Sequence, residues 1–245
     1  MAERAEDYQQ AVLRAFSVLG SLRPDWRGGL ALVYGLGAGG SALSIAANIA
    51  GAGCLAIDQR PEVCRAAMRS GACDFVVNTV DEALRVLKNE IRQRKPVSVG
   101  LTLTPAAALE ELLDRGVLPE LFTAFGTDAV ALDAAVGDQA ARRFAALGSA
   151  IVDFDHTLQA EPGLIDAEAR LAEFTGGRGW RLESRVFAAA EELRAFDARL
   201  LEIVPAADPR HRWCAAAPRF FHRERPHRRV VYLTAAELDR LASGD

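Results

Sequence analysis

The chain has no long apolar run, few cysteines and few aromatic residues, and these shortages exclude several protein classes. Its 245 residues are 50% hydrophobic and 25% charged, with a net charge of −4, which is typical of a globular protein in water. No stretch reaches the roughly 20 consecutive apolar residues of a membrane span. The opening segment MAERAEDYQQ is too polar for a secretory signal, so we expect a cytoplasmic protein without a membrane partner.

Several sequence motifs of metal sites and catalytic sites are missing as well. The four cysteines are Cys54, Cys64, Cys73 and Cys214. They form no C-x-x-C pair, and the histidines have no ligand spacing, so we expect reduced thiols and no metal site. The chain has no Tyr-x-x-x-Lys and no G-x-S-x-G, which argues against a short-chain dehydrogenase and a serine hydrolase.

The most informative segment that is present covers residues 33–58, VYGLGAGGSALSIAANIAGAGCLAID. A short apolar run ends in G-x-G-x-x-G at Gly35, Gly37 and Gly40, and a helix of small residues follows. A second apolar run ends at Asp58, 18 residues past Gly40. This order is typical of a dinucleotide-binding βαβ unit, in which the helix N-terminus faces the diphosphate and the acid binds the ribose. The acid favours NAD over NADP. Glycine-rich turns that bind no nucleotide are the alternative.

Apolar runs and amphipathic segments alternate along the first two thirds of the chain. The predicted strands are 30–34, 54–58, 75–77, 97–101, 121–123 and 150–154. The predicted helices are 5–22, 40–50, 61–70, 81–94, 105–115 and 134–147. Such alternation predicts an α/β fold with a doubly wound, mostly parallel, Rossmann-like sheet and helices on both faces.

The last third follows a looser pattern, which predicts an elaborated C-terminal part. We expect a helix over 184–203, irregular chain over 205–229, a strand at 230–234 and a closing helix at 235–243. The predicted organisation is an N-terminal helix within residues 1–25 and one domain over 26–245, with an irregular insertion at about 159–229.

Longer runs resemble the central Rossmann-like NAD-binding domain of urocanase (urocanate hydratase). They are GLGAGGSALSIAANIAGAGCLAID, KPVSVGLTLTPAAALEELLDRGVLPELFT, GSAIVDFDHTLQ and PRFFHRERPHRRVVYLT. The resemblance extends from about Trp26 to about Leu241. It implies a bound NAD, and members of that family use NAD as an electrophile toward an imidazole substrate in histidine catabolism.

The resemblance also implies which residues would contact NAD. Asp58 matches a ribose-binding glutamate and Thr123 is retained, while Thr104 and His156 replace asparagines and Phe154 replaces a tyrosine. The implied cofactor-binding residues are Gly35, Gly37, Ala38, Gly39, Gly40, Asp58, Thr104, Thr123, Phe154 and His156. No catalytic residue is assigned.

Departures from the family cluster at the implied contacts. Val63 replaces an arginine at the adenosine end, and the family run TDQTSAHD is TAFGTDAV at residues 123–130. The family's two flanking segments, which form its core domain, have no counterpart here. We therefore expect an NAD-binding domain without full hydratase activity by itself. The alternative is a lyase that acts on an imidazole or an unsaturated acid, with its core supplied by a partner chain. A homodimer is a further expectation.

A different motif supports a third function. Asp153, Asp155 and Thr157 have the D-x-D-x-T spacing of Mg²⁺-dependent phosphatases of the haloacid dehalogenase type. The interpretation without phosphatase chemistry is that Asp153 ends a strand. The basic run HRERPHRR at residues 222–229 is interpreted as a solvated rim rather than a nucleic-acid surface, because the whole chain is acidic.

Overall fold

A computed structural model describes residues 8–126, 134–159 and 163–243. The chain divides into two compact units, which we call the central unit (residues 25–168) and the terminal unit (residues 1–24 and 169–245). This division groups the N-terminal helix with the C-terminal part, whereas the sequence analysis set that helix apart from one domain over 26–245. In the described ranges no helix combines the length and the apolarity that crossing a membrane requires.

A seven-stranded sheet organises the central unit. Its strands are β1 (Leu30–Tyr34), β2 (Gly53–Ile57), β3 (Phe75–Val77), β4 (Val97–Leu101), β5 (Leu121–Ala124), β6 (Ala150–Asp153) and β7 (Leu164–Asp166). They lie in the order β3-β4-β2-β1-β5-β6-β7, and every neighbouring pair is parallel. The predicted α/β fold with a parallel sheet is confirmed. All six predicted strands form, and β7 is a strand that the sequence analysis did not predict.

The central strands are apolar because both faces of the sheet are covered. Every residue of β1, β2, β4 and β5 is buried, whereas the edge strand β3 is partly exposed. Runs that are apolar at consecutive positions, rather than at alternate ones, are the pattern of strands buried on both sides. The order of these strands places the ends of β1, β2 and β5 side by side.

Among the described residues, five helices lie wholly within the central unit. They are α2 (Ala38–Ala50), α3 (Pro61–Ser70), α4 (Val80–Arg92), α5 (Pro105–Asp114) and α6 (Ala134–Ala146). Leu30, Leu32 and Tyr34 of β1 pack in one core with residues of α4, α5 and α6. Val33 faces the other side, where its Cγ1 lies 3.3 Å from a Cβ built at Gly40 of α2. Helices therefore cover both faces, as predicted.

The terminal unit is more regular than its sequence suggests. Its elements are α1 (Tyr8–Leu22), α7 (Ala167–Gly176, which begins at the end of the central unit), β8 (Arg181–Phe187), α8 (Ala190–Ile203), α9 (Pro209–Phe221), β9 (His227–Leu233) and α10 (Ala235–Ser243). The helix predicted over 184–203 is wrong in its first residues, because 181–187 pair with β9 as an antiparallel strand. The irregular chain predicted over 205–229 is also wrong, since α9 and the start of β9 lie there.

Buried arginines with carboxylate partners lie beside the apolar core of the terminal unit. Arg229 is 1% exposed and donates two hydrogen bonds to Asp197, at 2.6 and 2.7 Å. Arg210 is buried and donates to both Asp208 and Glu237. The basic run at 222–229 is therefore not wholly a solvated rim, because Arg229 is a buried structural residue.

Candidate functional site

Doubly wound sheets bind ligands at the carboxyl ends of their strands. In this sheet the carboxyl ends of β1, β2 and β5 lie side by side. From β1 the chain connects to β2 on one side, and β5 lies on the other side of β1. A crevice forms outside the strand ends where connections leave in opposite directions. The glycine-rich turn follows β1, Asp58 follows β2 and Thr123 lies in β5.

Two of the motif glycines are required by the protein's own backbone. Gly35 has φ of +90°, and a Cβ there would lie 2.6 Å from the carbonyl oxygen of Phe125. A Cβ at Gly40 would lie 1.9 Å from the carbonyl oxygen of Gly35. Real Cβ atoms do not approach backbone that closely, so α2 can pack on β1 only with glycine at position 40.

Gly37 differs, because it caps α2 with ordinary backbone angles. It has φ of −65° and ψ of −158°, which other residues adopt, and no side chain caps the helix. The first turn of α2 contains no acidic residue. The first N–H groups of a helix lack partners within the helix and carry its positive dipole end, so this end is suited to an anion.

The ring of Phe125 covers one side of this turn. A Cβ built at Gly39 would lie 2.4 Å from Cδ1 of Phe125, so the ring rests directly on that glycine. Phe125 is buried and stacks on Phe154, with ring centroids 5.7 Å apart and an interplanar angle of 26°. The two rings form an apolar wall beside the glycine turn, on the side of β5 and β6.

Both carboxylate oxygens of Asp58 accept hydrogen bonds from other groups of the protein. Oδ2 accepts from the Leu36 N–H at 3.0 Å and from Arg60 Nη2 at 2.7 Å. Oδ1 accepts from the N–H and Nε of Arg60, at 3.0 and 2.8 Å. Burial by itself raises the pKa of Asp58, but the hydrogen bonds from Arg60 and Leu36 outweigh it, so the pKa lies below its usual value. Because a carboxylate has about four lone-pair sites, a ribose could bind only in place of an arginine donor.

Thr123 has an unused hydroxyl beside the turn. Its Oγ1 is buried and has no hydrogen-bond partner in the described part of the chain. Thr123 pairs in register with Val33, and strand alternation puts its side chain on the α2 face, opposite to that of Phe122. A buried hydroxyl without a partner carries a desolvation cost, which a ligand that accepts or donates a hydrogen bond there would relieve.

The other residues implied on the nicotinamide side lie at different places. Phe154 follows β6 and is half-buried against Phe125, whereas the His156 side chain is 76% exposed, with Nδ1 4.0 Å from Asp153 Oδ2. Thr104 is the exposed N-cap residue of α5. It follows β4, and β4 lies three strand spacings from β5, about 14 Å. The structure therefore groups Thr104 with Asp58 rather than with Thr123.

The D-x-D-x-T residues form a hydrogen-bonded turn. Oδ1 of Asp153 accepts from the Thr157 N–H at 3.2 Å. The Gly126 N–H donates both to Asp155 Oδ2 and to Thr157 Oγ1, at 2.9 Å each. In the ranges that the structure describes, no group of His, Cys, Asp or Glu is arranged to hold a metal ion. These contacts support the interpretation that the two carboxylates order the end of β6.

Sequence reasoning missed Phe125 and Arg60, although each had a local signal. Phe125 comes two residues after the strand predicted at 121–123, and residues at strand ends face the crevice. Arg60 lies two residues after Asp58, close enough for its guanidinium to fold back onto that carboxylate. Of the run at 123–130, residues 127–130 lie outside the described residues.

The sheet order, the glycine turn and the uncapped helix define a Rossmann-like α/β domain. The family of the urocanase Rossmann-like domain matches residues 12–132. The resemblance to urocanase is therefore confirmed for this part of the chain, and residues 12–132 are similar to the urocanase Rossmann-like domain. The match ends before β6, so the likeness of later runs up to about Leu241 rests on the sequence resemblance.

Proposed function

We propose that the chain binds NAD(H) at the carboxyl ends of β1, β2 and β5. The observation that carries the proposal is the uncapped N-terminus of α2 at Gly37, in a domain of the urocanase Rossmann-like family. No side chain caps this helix end, and its first turn has no carboxylate that would repel an anion. The helix end is therefore suited to a diphosphate.

The residues present fit the parts of a dinucleotide. The backbone of Gly37, Ala38 and Gly39 would hold the diphosphate, and Asp58 would accept from the ribose hydroxyls once Arg60 yields its place. Phe154 and the free hydroxyl of Thr123 would contact the nicotinamide end. When bound, NAD would supply an electrophilic nicotinamide ring to which an imidazole can add.

We further propose that this chain alone does not hydrate urocanate. The Gln of the family run TDQTSAHD is Phe125 here, and its ring packs on Gly39 instead of presenting polar groups. Positioning an imidazole and a water requires oriented polar groups near the reacting ring. We expect no loss of urocanate absorbance with purified protein and added NAD, and turnover in that assay would contradict this part of the proposal.

Binding is tested by calorimetric titration of NAD⁺ and NADH into the purified chain, after small molecules released from it have been identified by mass spectrometry. Gly37→Val is the informative variant, because the backbone angles at position 37 accept a side chain. We expect it to fold like the parent and to lose NAD binding, since a branched side chain would stand between the ligand and the helix end.

Gly71→Ala is the matched control. Gly71 ends α3 with φ of +80° and has no atom within 4 Å of its Cβ position. This variant should lose some stability and keep NAD binding. The proposal fails if Gly37→Val binds NAD as tightly as the parent, or if the parent binds neither form of the cofactor.

A further inference from the structure

Strand β8 has one paired edge and one free edge. All seven of its residues pair with β9, and within the described ranges no other strand pairs with it. Its free edge is not protected by proline, and two of its apolar side chains face solvent: Leu182 is 38% exposed and Val186 62% exposed. Natural sheets protect open edges or use them for pairing with another chain.

Three charged residues on β8, Arg181, Glu183 and Arg185, take part in no ion pair with another described residue. Glu183 and Arg185 are half-buried on the side of β8 that faces α8, where the Arg185 guanidinium lies 5.4 Å from the ring centroid of Phe196. Neither has a salt bridge or side-chain hydrogen bond to any described residue. Arg229, which lies opposite Arg185 on β9, is paired with Asp197 within the chain.

The sequence of β8, RLESRVF, is complementary to itself when read in the opposite direction about Ser184. In an antiparallel pair centred there, Glu183 of each strand lies opposite Arg185 of the other. Leu182 lies opposite Val186, and Arg181 lies opposite Phe187. Opposite charges and apolar pairs directly across an antiparallel ladder stabilise it.

Neighbouring registers do not have this property. A centre at Glu183 would place two glutamates opposite each other and would pair Arg181 with Arg185. A centre at Arg185 would place two arginines opposite each other. Like charges directly across a ladder are destabilising, so the side chains of β8 specify one register, centred on Ser184.

We propose that β8 pairs with β8 of a second copy of this chain, in antiparallel register centred on Ser184. The two-stranded sheets of two chains then form one four-stranded sheet in the order β9-β8-β8-β9. Each pairing occurs twice because the interface is two-fold, so one substitution changes two contacts.

Charge reversal tests the register. The mass and dissociation constant of the 245-residue chain and of four variants are measured by sedimentation equilibrium. We expect Arg185→Glu and Glu183→Arg each to weaken the dimer about tenfold or more, because each creates two like-charge pairs. The double variant Glu183→Arg/Arg185→Glu restores opposite charges and should regain the dimer. Asp114→Lys, an exposed reversal on α5, is the control and should not change association.

Disulfide trapping gives a second readout that does not depend on the strength of the dimer. Ser184→Cys places two thiols across the two-fold axis, within the Cα distance that a disulfide spans. Leu182→Cys is the matched control, because its two copies would be four residues apart along the ladder, about 13 Å. The four native cysteines are buried and free, so they should not contribute.

The expected result is a dimer that single reversals weaken and the double reversal restores, with cross-linking at position 184 and not at 182. A chain that stays monomeric and does not cross-link at 184 overturns the proposal. A dimer that is insensitive to both single reversals, or that the double reversal does not restore, also overturns it. Circular dichroism of each variant shows that loss of the dimer is not loss of the fold.

Discussion

The central and terminal units differ in the charged pairs that they bury. In the central unit, consecutive apolar residues of β1, β2 and β4 are buried between helices, and α2 is buried from Gly40 to Ala50. In the terminal unit, arginines lie inside: Arg229 on Asp197, and Arg210 on two carboxylates. Both units bury apolar side chains, such as Leu13, Leu19 and Trp213 in the terminal unit, so the buried arginine–carboxylate pairs are what distinguishes the terminal unit.

The charged pairs of the two units also differ in how accessible they are to a ligand. In the central unit, the charged pair of Asp58 and Arg60 lies at the strand ends, and Arg60 is 20% exposed. In the terminal unit, Arg210 and Arg229 are buried on their carboxylate partners, so the role of these two arginines is structural. Breaking a buried pair should therefore cost stability, whereas breaking the pair at the strand ends should change binding.

The largest expected effect is in the terminal unit. Arg229→Met leaves Asp197 buried without its partner, and we expect a loss of about 3–5 kcal/mol in the free energy of unfolding measured with denaturant. Replacing both members, in Arg229→Met/Asp197→Leu, should recover most of that loss. Arg194→Met removes an exposed pair with Glu191 and should cost well under about 1 kcal/mol. Equal losses in these two single variants would contradict the comparison.

The next effect is in the central unit. Gly40→Ala puts a methyl group against the carbonyl of Gly35, and we expect a loss of about 3 kcal/mol, the upper part of the range for overpacking. Gly71→Ala meets no neighbouring atom and carries only the cost of a left-handed backbone, about 1–2 kcal/mol. Denaturant unfolding of both variants measures the difference. If Gly40→Ala were as stable as the parent, α2 would not pack as closely on β1 as described.

A smaller effect should appear in binding rather than stability. Arg60→Ala frees two acceptor sites on Asp58 for the ribose, and we expect NAD⁺ to bind about fivefold more tightly, equivalent to about 1 kcal/mol. Arg65→Ala, on the exposed side of α3, is the control and should bind as the parent does. Weaker or unchanged binding in the Arg60 variant would show that Asp58 does not receive the ribose.

The smallest expected effect is on the stability of the protein at low pH. Burial by itself raises the pKa of Asp208, but the hydrogen bonds from Arg210 outweigh it and lower the pKa below its usual value. A carboxyl whose pKa is depressed by folding contributes stability above its unfolded pKa of about 3.9, and that contribution is lost as the pH falls through the folded value. Stability should therefore decrease below about pH 4, and Asp208→Asn should flatten this decrease. Thermal unfolding across that range tests it, and an unchanged profile in the variant would assign the dependence to other groups.

The fold of the central unit was predictable because its signals are local. The apolar runs of β1 and β4 and the Thr104–Pro105 helix start each determine an element from a few neighbouring residues. The terminal unit was less predictable, because β8 has the composition of a helix as well as of a strand. Its pairing with β9, between residues 40 to 52 positions apart in the chain, decides between the two.

The site was predictable in part. The order strand, glycines, helix, strand and acid indicates the turn and Asp58 by spacing alone. The partners of Asp58 were not predictable in the same way, because the Leu36 N–H reaches it only when β1 and β2 lie side by side. The contact of Phe125 with Gly39 likewise exists only because β5 lies next to β1.

The amino-acid sequence by itself determined the alternation of strands and helices, the glycine turn and the similarity of residues 12–132 to the urocanase Rossmann-like domain. Each of these features depends on backbone preferences and burial patterns of residues that are close together in the sequence. Only the tertiary structure decided that Arg60 already binds Asp58, that Phe125 covers Gly39 and that Thr123 keeps a free buried hydroxyl. Such contacts join strands that are adjacent in the sheet but distant in the chain, and no local pattern records them.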